Sequence, residues 1–138
     1  ASEEVEAPAA ATKRERPEIL VVDDADEIVQ LVSLTLEDDY DIRTARDGVE
    51  AMEAVEASAP DLIVLDVMMP RMSGYEVCHA LKESEATAGI PVIFLSARGE
   101  TAHIKKGFYA GADDYLPKPF DPRELLARLR DAAAEDAR

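Results

Sequence analysis

Five residues in this chain could act together in one reaction. Asp23 and Asp24 follow the apolar run Leu20-Val21-Val22 in LVVDDADE. Asp66 follows Leu62-Ile63-Val64-Leu65, Ser96 follows Pro91-Val92-Ile93-Phe94-Leu95, and Lys118 stands just past Asp113 to Leu116 in LPKP. Three carboxylates in one place repel one another unless a cation neutralises them. Oxygen-only donors suit a hard ion, and Mg²⁺ binds through one or two carboxylates plus water, often with a phosphate oxygen. The Asp23-Asp24 pair therefore reads as a magnesium seat. Asp66, opposite it, is expected to be accessible and anionic, as a nucleophile must be. Phosphoryl transfer is mainly positioning and charge neutralisation. Mg²⁺, Lys118 and a hydrogen bond from Ser96 would each engage the transferring group, so the set could accept a phosphoryl group on a carboxylate.

Taken singly, each residue has an ordinary structural explanation. Asp24 could cap a helix, with Glu27 three residues on. Asp66 could be a turn residue and Ser96 a satisfied turn hydroxyl. Lys118 could simply be solvated. What argues for chemistry is that all of them fall at the same kind of place, just past an apolar run. Charged groups gathered in one cleft mark a functional site.

The elements that must position them alternate along the chain. Ile19 to Val22, Leu62 to Leu65 and Pro91 to Leu95 are unbroken apolar runs, the signature of strands buried on both faces. Tyr40 to Ala45 alternates and reads as a strand nearer an edge, and Asp113 to Leu116 as a short last strand. Between them lie helical patterns: Ile28, Leu31, Val32 and Leu36; Met52 and Val55; Val77, Cys78 and Leu81; a thinner one at Ile104 and Phe108; and Leu125, Leu126 and Leu129. Asp47-Gly48-Val49-Glu50 and Ser73-Gly74-Tyr75-Glu76 have the form of capping boxes, and Pro122 occupies a first helical position. Five strand–helix repeats predict an α/β doubly wound sandwich, a parallel sheet with helices on both faces. Ligands of such sheets bind beyond the carboxyl ends of the strands, where the five residues fall.

The 138 residues and 47% hydrophobic content fit one domain over residues 17–136, preceded by a flexible acidic, Ala-rich tail at 1–16. The formal net charge of −15 argues against nucleic-acid binding through this domain. No apolar run approaches the ~20 residues of a membrane span, and the opening ASEEVEAPAA is unlike a secretory signal. With Cys78 the single cysteine, a reducing cytoplasmic location is expected. Cys78 shares helical spacing with Val77 and Leu81, which predicts a buried thiol. Met68, Met69 and Met72 are expected to pack a loop, and His79 and His103 lack a metal-binding spacing.

LVVDDADE, LIVLDVMMPRMSGYEVC, VIFLSA and DDYLPKPFDPRELLARL together resemble the response-regulator receiver domain of two-component signalling, over about residues 17 to 136. The resemblance implies a five-stranded sheet in the order 2-1-3-4-5. It implies that Asp66 is the phosphoacceptor, that Asp24, Asp66 and the Met68 backbone carbonyl ligate Mg²⁺, and that Asp23 assists mainly through metal-bound water. Ser96 would be the switch hydroxyl, Tyr115 the switch aromatic, and Lys118 the partner of the phosphoryl group, with the Lys118-Pro119 bond commonly cis. The phosphodonor would be a histidine kinase or a histidine phosphotransfer protein. The face built from the fourth helix, fifth strand and fifth helix, about Thr101 to Arg130, would carry the change to a downstream protein or a phosphorylation-dependent homodimer. Such a domain is no enzyme beyond promoting its own phosphorylation and dephosphorylation. Two other classes stay open on sequence alone: a receiver-fold docking module that is never phosphorylated, and a small Mg²⁺-dependent phosphotransfer or flavin-binding protein.

Overall fold

The computed structural model describes residues 16–67, 69, 71–97, 113–118 and 120–136; of Ser96, Ala97 and residues 133–136 only the backbone is described. Among the described residues nine elements follow one another: β1 (Glu18–Val22), α1 (Asp26–Leu36), β2 (Asp41–Ala45), α2 (Gly48–Ala57), β3 (Leu62–Asp66), α3 (Gly74–Glu83), β4 (Val92–Ala97), β5 (Asp114–Lys118) and α4 (Pro122–Asp136). The helix expected around Ile104 and Phe108 lies outside the described residues, so α4 is the last of the five helical segments legible in the sequence.

The strands form one parallel sheet in the order β2-β1-β3-β4-β5. This is the doubly wound architecture expected. Its layers follow from the pleat, because successive side chains of a strand point to opposite faces. Leu20, Val22, Ile63, Leu65, Val92 and Phe94 pack with Ala51 and Val55 of α2 and Val77, Cys78 and Leu81 of α3. Their neighbours Ile19, Val21, Leu62, Val64, Ile93 and Leu95 pack on the other face with Val32 and Leu36 of α1 and Leu125 and Leu129 of α4. That two-sided burial is why these strands are apolar without a break. Each fully buried Leu, Ile or Val contributes about 1.5–3 kcal/mol. β2 lies at the edge, and of its five residues only Ala45 is buried.

Local sequence sets the helix ends. Asp47 accepts from the Glu50 N–H and caps α2, and Ser73 and Glu76 form the reciprocal capping box of α3. The N-cap position of α1 is Ala25, with no side-chain cap, so Asp24 is not a capping residue; Asp26 and Glu27 instead complement the helix dipole. Beyond the other end of α1, the Arg16 guanidinium donates to the carbonyls of Glu37, Asp38 and Tyr40.

Gly74 opens α3 where that helix meets the end of β3. A Cβ there would collide with the Asp66 carbonyl oxygen and stand 3.0 Å from Val67 Cα, both backbone atoms. Gly74→Ala is expected to destabilise the protein by about 1–3 kcal/mol through this overpacking. A urea midpoint equal to the parent's would refute the close approach.

Candidate functional site

The register builds the site. Ala45, Val22, Leu65, Phe94 and Tyr115 form one row across the sheet. Asp23 and Asp66 are each one residue past that row on adjacent strands, which brings their carboxylates together. Asp24 follows at once, and the three residues can place carboxylate oxygens within 4.8 Å of one another. β5 continues through Pro117 to Lys118, two residues further than its apolar content suggests, because β4 runs on to Ala97, opposite Lys118. Pro117 is tolerated there because β5 is an edge strand. Lys118 reaches back so that Nζ lies 2.9 Å from Asp23 Oδ2 and 3.1 Å from Asp66 Oδ1.

Asp23 is buried, and its other oxygen accepts from the Ala25 N–H at 2.9 Å, which turns the chain out of β1 into α1. Asp24 is exposed. Asp66 was expected to be accessible, but only 6% of it is exposed. Its carboxyl is pushed up from 3.8 to about 6, first by burial and then by the Asp23 charge, with Lys118 opposing both and Asp24 adding to the rise. For Lys118, burial works against its charge, but the hydrogen bond to Asp23 and the two carboxylate charges outweigh it and hold its pKa above 10.5. The lysine is shared, so neither acid receives its full benefit. Among the described residues it is the one cation in ion-pair reach of the three carboxylates. Three negative charges against one positive leave two uncompensated, and a divalent cation closes that balance. The donors are all oxygens, as Mg²⁺ requires. The residues present therefore fit the ion.

This arrangement has a pH signature. The folded pKa of Asp66 lies above its unfolded value, so the folded state holds the proton more tightly. Stability from this group is fully present below about 3.8 and is lost as pH rises through about 6. In Mg²⁺-free buffer the unfolding free energy of the parent, relative to Asp66→Asn, should fall between those values. Urea unfolding of the two proteins at a series of pH values checks it; a constant difference would mean that Asp66 is not held in a costly charged state.

Of the other expected residues, Ser96 stands in β4 opposite Pro117, at the same end of the sheet, and its side chain lies outside the description. Tyr115 pairs with Phe94 in register and packs, partly buried, against the core under α2 and α3. Met68, Pro119, His103, Phe108 and Tyr109 lie outside the described residues. Cys78 is buried, and burial pushes its thiol up to about 11, as a packing residue's would be. Met69 and Met72 pack against the core, and His79 faces Glu83 one helical turn away.

Two contributors had not been foreseen. The Ala45 carbonyl accepts from the Asp23 N–H at 3.2 Å, so the edge strand supports the acidic pair. Arg71, between Asp66 and α3, donates through Nε and Nη2 to Asp47 Oδ2 at 3.0 and 2.7 Å. Asp47 signalled a helix cap in the sequence; nothing there signalled its second partner.

Residues 19–130 match the family model of the response regulator receiver domain. The chain is 47% identical over 115 residues to the DNA-binding dual master transcriptional regulator RpaA of Synechocystis, covering 83% of this chain and 48% of that protein. It is also 47% identical over 113 residues to the alkaline phosphatase synthesis transcriptional regulatory protein PhoP of Bacillus subtilis, covering 81% and 46%. The chain thus spans about half the length of these relatives. Among solved structures, the chemotaxis response regulator CheY4 of Vibrio cholerae aligns with a TM-score of 0.80 at 35% identity, covering 85% of this chain and 98% of that one.

Proposed function

Because the chain belongs to the response-regulator receiver domain family, we propose that it is a phosphorylation-driven switch in two-component signalling, with Asp66 as its phosphoacceptor. The observation that carries this is the uncompensated double charge where Asp23, Asp24, Asp66 and Lys118 meet. Such a site gains from a divalent cation, and the bound cation would then offset the charge that a phosphoryl group brings to one of the carboxylates.

Asp24 and Asp66, with the Met68 carbonyl, would hold Mg²⁺ directly, and Asp23 would act through metal-bound water. The bound ion supplies charge neutralisation of the phosphoryl oxygens. The chain's own residues do the rest. An Asp66 carboxylate oxygen attacks the phosphorus of a phosphohistidine; the O–P bond forms as the P–N bond breaks, and the imidazole leaves with that electron pair. Lys118, already beside Asp66, pairs with the anionic product, and Ser96 would donate to another of its oxygens. The new charge and acceptor oxygens favour whichever packing of Ser96 and Tyr115 satisfies them better, and the population shifts toward it.

The donor is a histidine kinase or a histidine phosphotransfer protein. The switched face, from about Thr101 to Arg130 and including β5 and α4, meets a downstream protein or a second copy of the chain. The domain itself contacts neither DNA nor membrane; no described helix is long and apolar enough to cross a bilayer. A cytoplasmic location fits this role, and the only chemistry the domain promotes is its own phosphorylation and dephosphorylation.

Incubation with Mg²⁺ and a small-molecule phosphodonor, followed by intact mass, tests the proposal. A gain of one phosphoryl group that chelator prevents is expected. An unchanged mass under several donors would favour a docking module instead.

A further inference from the structure

Arg71 is the one described residue other than glycine with a positive φ, at 70°. That left-handed backbone costs a side-chain-bearing residue free energy and persists only where the surroundings over-determine it. Here they do so twice. Both guanidinium donors of Arg71 converge on Asp47 Oδ2, while Asp47 Oδ1 accepts from the Glu50 N–H and caps α2. Asp47 is buried and its carboxyl is held below the usual range, by the Glu50 N–H and then by Arg71. Next in the chain, Met72 lies against Gly48 so closely that a Cβ there would come within 2.5 Å of both Met72 Cβ and the Met72 carbonyl oxygen. The segment leaving Asp66 is thus bound to the start of α2 by an ion pair and by a packing contact.

The start of α2 is in turn tied to the acidic pair. Ala45, two residues before Asp47, accepts from the Asp23 N–H at 3.2 Å, and Arg46 Nη2 pairs with Asp26 Oδ1 at 2.7 Å. One short path therefore joins the loop after Asp66 to the loop that bears Asp23 and Asp24. It passes through Arg71, Asp47 and the end of β2, and touches none of the three acidic side chains.

We propose that the Arg71–Asp47 pair is a positioning strap, which holds the segment after Asp66 in register with the Asp23-Asp24 loop and so sets the affinity of the acidic site for Mg²⁺. This rests on the proposed function for the identity of the ion. Arg71 is a positioning residue, not a catalytic one.

Two variants separate this role from plain stability. Arg71→Gly deletes the guanidinium but accommodates φ 70° at no steric cost. Asp47→Asn keeps a good helix cap and deletes the charge that Arg71 needs. Both should still unfold cooperatively, if at somewhat lower midpoints, yet when folded bind Mg²⁺ about tenfold more weakly by calorimetric titration, as is common when the supports of metal ligands are removed. The double variant should be no weaker than either single one, because both remove the same contact. Arg71→Lys should recover part of the affinity. Parent-like Mg²⁺ affinity in Arg71→Gly and Asp47→Asn, or additive losses in the double variant, would overturn the strap. Failure of the parent itself to bind Mg²⁺ would overturn the proposed function instead.

Discussion

Asp66→Asn is expected to abolish phosphoryl uptake and, in Mg²⁺-free buffer at pH 7, to make the protein harder to unfold. The first effect follows from chemistry: a neutral amide of nearly the same shape offers no anionic oxygen to attack phosphorus. The second follows from electrostatics. Asp66 ionises at about 6 instead of 3.8 because it is buried beside Asp23. At ~1.4 kcal/mol per pKa unit, keeping it charged at neutral pH costs on the order of 3 kcal/mol. Asn removes that cost and leaves an acceptor for Lys118. Adding Mg²⁺ should narrow the difference or reverse it, because an ion that binds the folded state stabilises it in proportion to the logarithm of its concentration over Kd. Intact mass and urea midpoints with and without chelator measure both effects. A phosphorylated Asp66→Asn protein would remove Asp66 from the centre of the mechanism, and a lower midpoint than the parent's would show that its charge is well accommodated.

Lys118→Met should have the opposite effect on stability. The methionine keeps most of the aliphatic stem and deletes the ammonium. Asp23 then retains a fully buried side chain with no cation in reach among the described residues. Breaking a buried pair by removing one partner typically costs about 3–5 kcal/mol; Asp66 can relieve part of the strain by taking up a proton. Mg²⁺ should restore much more stability to this variant than it adds to the parent, since the ion replaces the missing charge. Thermal or urea unfolding across a magnesium titration gives the result. A loss of stability that magnesium leaves untouched would mean that Lys118 acts through packing and not as the counter-charge of the acidic site.

Taken together, these two substitutions describe a pocket poised between repulsion and neutralisation. Among the described residues Lys118 offsets only part of the acidic charge, and the remaining negative excess is what makes a divalent cation welcome there, which in turn would neutralise an incoming phosphoryl group. The strap between Arg71 and Asp47 lies outside that balance and bears on geometry only.

Much of this was legible in the chain. The three unbroken apolar runs announced interior strands, and the alternation in Tyr40 to Ala45 announced the edge strand found at Asp41–Ala45. Asp47 and Ser73 announced two helix starts by local chemistry that operates over three or four residues. The acids and the lysine could be placed at one end of the sheet because in a parallel sheet every strand end points the same way. What local pattern could not supply was distance and burial. That Lys118 bridges Asp23 and Asp66, that Asp66 is almost covered, and that Arg71 crosses to Asp47 depend on strand register and on loop paths between residues 24 to 95 positions apart. Periodicity records which face a residue takes in its own element, so the sequence determined the layers and the end of the sheet where chemistry gathers. Contacts between elements are fixed only when the layers close on one another, so the tertiary structure alone decided how the charges are shared.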